Sequence, residues 1–378
     1  MIRAFLAFML LVVSATLALA LSPSQNMIVG LPHTICPYAG AGFADGCAGA
    51  QPGAPQNPTL LLQYGANRPP WNVAGVDYAV GAVGPFNDPS VSGNLPACAS
   101  YSAGTQNTVT VNSAPCSLSN LDFSLHGGIC LSFSSAITNN ATVSITNNNF
   151  SAGPNCQPLG GGILNIAGDV TVVFNYNTVN AQYNPNLQST LQHQGAEPGN
   201  ETFEYNYLIN NPQHVFHLDG SGTFTIKYNF GNGIGHNPDH ADWLYHPGNT
   251  AGVVINEAFN TVYSSPNGCC TTAFCYMSIS SVPYSGYCEN DVYISNVSVQ
   301  TGTAGNGTVS APVRIDEIAN MGPLTISNIY MDLRGAFYPF LATGDTSPVP
   351  VVTCTGNKSL VDGTALTNAT GQSWMVCH

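Results

Sequence analysis

Charge is what this sequence has least of: 7% of its 378 residues are charged, with six Lys and Arg against 19 Asp and Glu. Setting aside Arg3, the fixed cations are Arg68, Lys227, Arg314, Arg334 and Lys358. So few cations cannot neutralise a phosphate backbone, which excludes a nucleic-acid partner and disfavours an anionic membrane. After the N-terminus no apolar run approaches the roughly 20 residues needed to cross a bilayer, so membrane insertion is not expected. Apolar residues at three- and four-residue spacing are nearly absent, which removes the crossover helices of an α/β fold. There is no P-loop and no dinucleotide fingerprint, and "HGG" at His126 lacks the nucleophile elbow of a serine hydrolase.

The N-terminus carries Arg3, then the apolar run "AFLAFMLLVV", then "ATLALA" with Ala18 and Ala20 in a small-residue cleavage pattern. Residues 1–20 therefore read as an export signal, giving a secreted, extracellular or periplasmic protein. Twelve cysteines in such a chain imply disulfides. Spacing suggests the local pairs Cys36 with Cys47, Cys98 with Cys116, Cys130 with Cys156 and Cys354 with Cys377, although spacing alone does not fix connectivity. Cys269, Cys270, Cys275 and Cys288 satisfy the ligand count of a zinc site, but in an oxidising compartment disulfides take precedence.

Residues 21–106 are rich in Pro, Gly, Ala and Cys without sustained periodicity and read as an irregular, disulfide-stapled cap. From about residue 107 short β-type runs take over: "VSITNNNF" at Val143, "VVFNYNTV" at Val172, "FEYNYLIN" at Phe203, "FTIKYNFG" at Phe224, "VVINEAFN" at Val253, "VYISNVSV" at Val292 and "LTISNIYM" at Leu324. Each alternates apolar and polar residues and then reaches a turn former. Weaker strands follow: "ILNI" at Ile163, "TLQH" at Thr190, "VFHLD" at Val215, "DWLYH" at Asp242, "YMSIS" at Tyr276 and "VRIDE" at Val313. Asn147, Asn296 and Asn328 occupy one place in their repeats, and Asn148, Asn177 and Asn229 the next. Stacked Asn side chains bond to one another and to turn backbones. Paired runs every thirty or so residues differ from the 8 to 12 residue spacing of a β-sandwich. The predicted fold is an all-β, single-domain parallel β-helix over residues 107–343, with a cysteine-tied C-terminal cap over 344–378.

The repeated "V-x-I-x-N-N-x-F" texture resembles the right-handed parallel β-helix proteins of the pectin-lyase-like superfamily. "RPPWNVAGVDYAVG" from Arg68 and "HADWLYH" from His240 are similar to segments of exported bacterial β-helix proteins. The resemblance implies a right-handed helix and leaves the activity open, because that superfamily holds lyases, glycosidases, epimerases and adhesins.

Aligning the weaker strands places Asn165, Gln192, His217, Trp243, Ser278 and Arg314 in one outward column, flanked by Asp219, Tyr245 and Asp316. Aromatic faces, amides and carboxylates in such a ridge suit a polysaccharide. At its centre lies "GHNPDHADWLYH", from Gly235 to His246, where Gly235 and Pro238 argue against a helix. Its histidines either cap turns or, with Asp239 and Asp242, converge on a metal; the turn reading is favoured and no metal is expected. Asp239 and Asp242 are the candidate acid and base, assisted by His240 or His217. Asn237, Asp239 and Asp242 repeat the spacing of polygalacturonase-like glycosidases, and Arg314-Ile315-Asp316 is similar to their Arg-Ile-Lys. The adjacent Asp-Asp pair and the Gly-His-Gly motif of those enzymes are missing, and Asp316 replaces the lysine.

The functional expectation is an exported glycoside hydrolase-like enzyme acting on an extracellular polysaccharide. Two alternatives stand: a glycan-binding adhesin or cell-surface structural protein, and a polysaccharide lyase that recruits calcium through its acids. Seven Asn-x-Ser/Thr sequons (Asn140, Asn149, Asn200, Asn296, Asn306, Asn357 and Asn368) arise readily in so Asn- and Thr-rich a chain.

Overall fold

A computed structural model describes residues 51–137, 141–158, 161–193, 198–234, 242–246, 252–264, 277–278, 284–294, 313–316, 322–332, 339–342, 351–367, 369–371 and 376–378. These form a parallel β-solenoid, all-β as expected. Its three principal sheets contain seven, nine and eight strands among the described residues, and a further sheet contains four. Parallel neighbours within a sheet are successive coils of the chain, and the one antiparallel pair among the described strands is Ala99–Ser102 with Thr108–Val111 at the start of the first sheet.

The second sheet shows how alternation builds the core. Register partners along it give one inward column: Leu118, Ile145, Phe174, Phe203, Ile226, Glu257, Cys288, Ile326 and Cys354. All nine are buried, and all but Glu257 are apolar or sulfur-bearing. Every strand is short, but stacking aligns its inward residues with those of the next coil into one continuous core.

The corner between the second and third sheets is a two-residue turn. Its first position has left-handed backbone in Asn120, Asn147, Tyr176, Tyr205, Tyr228, Phe259, Asn290 and Asn328. Asn tolerates this conformation, but an aromatic residue adopts it at a steric cost. Here the aromatics stack, with ring centroids 5.1 Å apart for Tyr176 and Tyr205, 4.8 Å for Tyr205 and Tyr228, and 5.2 Å for Tyr228 and Phe259. The next position is a buried amide ladder. Asn148 Nδ2 donates to Asn177 Oδ1 at 3.1 Å, Asn177 to Asn206 at 3.3 Å, Asn206 to Asn229 at 2.9 Å and Asn229 to Asn260 at 3.0 Å. Asp291 follows Asn260 in the ladder, and Asn260 N donates to Asp291 Oδ1 at 2.5 Å.

Asn147, Asn328, Asn148, Asn177 and Asn229 thus sit as the repeats predict. The run at Val292 does not. Val292–Ile294 pairs with Thr261–Tyr263 in the third sheet, and the second-sheet strand of that coil is Tyr284–Glu289. Asn290, not Asn296, therefore occupies the corner; Asn296 lies outside the described residues. "YSGYCE" hides its strand because Gly286 interrupts the apolar alternation.

Part of the segment expected to be an irregular cap runs along the solenoid as a strap. Asn67 Nδ2 donates to Val361 O at 3.3 Å, and Tyr64 OH to Asp332 Oδ2 at 2.5 Å. Trp71 packs edge-on against Tyr330 and Phe259, and Gly75 lies against Phe230. Gly81 N then donates to Tyr205 O at 2.7 Å, Val83 N to Asn147 Oδ1 at 2.7 Å and Asn87 N to Asn120 O at 2.7 Å. The strap thereby descends from the late coils to the early ones, and an Arg68–Asp77 ion pair closes its central loop.

The disulfides Cys98–Cys116, Cys130–Cys156 and Cys354–Cys377 form as spacing suggested. Cys288 is also disulfide-bonded, in line with the disulfide reading of its cluster. Cys36, Cys47, Cys269, Cys270 and Cys275 lie outside the described residues. At the C-terminal end His378 N donates to Cys354 O at 2.8 Å, covering the edge of the last second-sheet strand. No helix among the described residues is long and apolar enough to cross a membrane.

Candidate functional site

The outward face of the first sheet carries the column predicted for it through its first rungs. Ser132, Asn165, Gln192 and His217 are successive register partners, between the inward pairs formed by Leu131, Leu164, Leu191 and Phe216. The next coil departs from the expected column by two residues. Leu244 pairs with Phe216 and Tyr245 with His217, so Tyr245 rather than Trp243 continues the outward column.

Around that position lies a compact group of ionisable side chains. His217 Nε2 donates to Asp219 Oδ1 at 3.0 Å. His214 Nδ1 stands 2.9 Å from Asp242 Oδ2. The Tyr245 ring lies between the two pairs, stacked on His214 with centroids 4.5 Å apart and planes 11° from parallel, and meeting His217 edge-on at 4.9 Å. The two imidazoles meet edge to face at 5.6 Å.

The exposures divide the roles. The Asp242 side chain is fully buried and that of His214 is 3% exposed, whereas the Asp219 side chain is 25% exposed. Burial raises the Tyr245 phenol above the usual tyrosine range, and the nearby Asp242 and Asp219 carboxylates raise it further. Tyr245 is thus a half-buried phenol that keeps its proton. Nδ1 of His217 is enclosed, so the imidazole meets the solvent side through the edge it shares with Asp219.

Several expected site residues take other places. Trp243 is buried against Phe216, and its Nε1–H donates to Glu257 Oε1 at 2.5 Å, so it offers no face to a sugar. The sequence pattern misplaced it because a shift of two residues leaves the alternation unchanged, and the strand begins only at Leu244, so Trp243 precedes it. Asp242, enclosed beside His214, is not placed to touch a substrate. Asn165 is bound to its own strand, accepting from Gly162 N at 3.0 Å and donating to Gly162 O at 2.7 Å. Gln192 keeps its place in the column but is buried. Arg314 pairs in register with Leu341, and Asp316 with Ser278, so Asp316 rather than Arg314 follows Ser278 in the ladder. Asp239, His240 and His236 lie outside the described residues. His246 is buried and donates through Nδ1 to Leu218 O; desolvation holds its pKa below the usual histidine value.

Three buried acids inside the solenoid escaped the sequence reading. Glu201 occupies an inward position between Val172 and Phe224 and bonds to the enclosed His193. Glu257 and Asp291 each place a carboxyl oxygen within 4.8 Å of the other and of Cys288 Sγ. The Cys288 sulfur is committed to a disulfide and is no thiolate ligand. Two carboxylates alone fall short of the six to eight oxygens that calcium takes. The signal for Glu257 was legible: an acid stands in "VVINEAFN" where the neighbouring runs place Ile or Phe.

Compared with known proteins, the chain matches no family model, no curated protein and no solved structure, so its fold and this local chemistry are what bear on its function.

Proposed function

We propose that the chain is an exported, carbohydrate-active solenoid enzyme whose Asp219 and Tyr245 exchange protons with an extracellular glycan. One observation carries this reading: a half-buried, protonated phenol is held between two His–Asp pairs on the outward face of the first sheet. General acid–base catalysis needs a proton donor and a proton acceptor set side by side in different environments. Tyr245 is the donor, because burial and neighbouring carboxylates keep its proton on. Asp219 is the acceptor, because its carboxyl is the more exposed of the two and is oriented by His217. His214 and Asp242 position the Tyr245 ring from behind.

The proton-transfer pair is thus moved from Asp239 and Asp242 to Asp219 and Tyr245, while the substrate class remains a polysaccharide. In hydrolysis Asp219 would activate a water and Tyr245 would protonate the leaving oxygen. In elimination Asp219 would remove a ring proton and Tyr245 would again protonate the leaving oxygen, which leaves an unsaturated product. The test is turnover of a polysaccharide panel by the mature protein beside Tyr245→Phe and Asp219→Asn. Turnover that both variants lose supports the reading. Binding without turnover transfers the site to a glycan-holding adhesin.

A further inference from the structure

We infer that Glu257 and Asp291 form a protonated carboxyl pair inside the solenoid that acts as an alkaline-sensitive latch beneath the segment carrying Tyr245. The amide ladder sets the first demand on this pair. Asn177, Asn206, Asn229 and Asn260 each use Oδ1 to accept from the preceding rung and Nδ2 to donate onward and to a strand carbonyl. Asp291 accepts from Asn260 in the same way, but a carboxylate has no hydrogen for the second task. Protonation restores a donor at the place where every earlier rung has an amide, so the ladder itself favours the acid form.

The partner makes the same demand from the other side. Glu257 stands in a column of otherwise uncharged residues between Ile226 and Cys288, fully enclosed. Its carboxyl oxygen lies within 4.8 Å of that of Asp291, and two ionised carboxylates at that separation in a water-free core repel strongly. Among the described residues, Trp243 donates a neutral N–H to Glu257, Asn260 is an amide, and the Cys288 sulfur, 3.3 Å from Asp291 Oδ2, is in a disulfide. Glu289, on the same second-sheet strand as Cys288, is a further acid. Desolvation raises Glu257 to about 8, and burial followed by the Glu257 charge raises Asp291 well above its usual value.

The linkage follows in sign. Above about pH 4 the unfolded chain has released these protons, while the folded chain keeps them until about pH 8 for Glu257. Stability is therefore fully present below about pH 4, falls as pH rises through that window and levels off above it. The consequence is local as well as global. Trp243 reaches from Glu257 directly into Leu244 and Tyr245, so ionisation of the pair is felt first at the candidate site.

The experiment uses the unmodified protein first. Infrared difference spectra at neutral pH are expected to show a protonated carboxyl band that disappears as pH rises through about 8, together with a change in Trp243 emission, isolated by subtracting a Trp243→Phe variant. Asp291→Asn restores the ladder amide and removes one acid. It is expected to raise the melting temperature most at alkaline pH, to flatten its fall with pH and to move the Trp243 transition downward. Glu257→Gln is expected to abolish that transition. These readouts do not depend on turnover, so they stand apart from the catalytic reading. If the unmodified protein shows no such carboxyl band, and its melting temperature and Trp243 emission are level from pH 5 to beyond 9, the inference is overturned.

Discussion

The ring of Tyr245 lies on that of His214, with centroids 4.5 Å apart and planes 11° from parallel, and this contact fixes the phenol where the first sheet faces outward. The stack separates positioning from chemistry. The ring holds the geometry, and the hydroxyl carries the proton.

Tyr245→Phe should consequently keep the stack and the fold while removing the proton donor. Turnover is expected to fall by at least about 100-fold, the usual scale of a general acid, with the melting temperature nearly unchanged. Because the phenol is raised above its ordinary range, the wild-type rate should keep its acid form past the pH where a free tyrosine ionises. A variant as fast as wild type would remove Tyr245 from the mechanism.

Asp219→Asn replaces the acceptor of the His217 proton with an amide of the same shape. Turnover should drop by about 10² or more at a site where base strength matters. Its partly exposed side chain predicts little loss of stability. Paired measurements of kcat and KM check this, with the loss expected in kcat.

Asn206→Ala tests the ladder. Asn206 Oδ1 accepts from Asn177 N at 2.9 Å, and its Nδ2 donates to Phe174 O at 2.9 Å and to Asn229 at 2.9 Å. Truncation leaves several buried polar groups unpaired, at about 1–3 kcal/mol for each group left unsatisfied. Denaturant unfolding should show a loss of at least about 2 kcal/mol; a loss within error would mean that the amides contribute little.

Gly75→Ala tests the strap. Gly75 has a φ of +72°, and a Cβ there would lie 2.2 Å from Phe230 Cδ1. Both the backbone and the packing oppose the substitution. Limited proteolysis should cut within residues 57–87 faster than in the wild type, while the solenoid coils remain protected.

Much of this was legible in sequence because a solenoid repeats its physics in every coil. Alternation at Val143, Val172, Phe203, Phe224 and Val253 marked the second sheet, and Asn148, Asn177 and Asn229 marked its corner. His217, Asp219 and Tyr245 were legible as a polar group on one face. Trp243 was misplaced because a two-residue period cannot distinguish registers two residues apart when both positions carry large aromatic side chains. The strap was invisible, since its contacts are long-range: Tyr64 meets Asp332, and Val83 meets Asn147. The pairing of Glu257 with Asp291 likewise depends on two coils meeting inside the core, which no local window reports.

The most direct test of the account is product analysis. The mature protein is incubated with a panel of neutral and acidic polysaccharides, with and without calcium, beside a Tyr245→Phe/Asp219→Asn double variant. New reducing ends and absorbance from unsaturated products are followed together. The account predicts turnover of at least one glycan by the wild type and its loss in the double variant, with unsaturated absorbance marking elimination and its absence marking hydrolysis. Turnover that persists undiminished in the double variant, or glycan binding without any turnover, would contradict it.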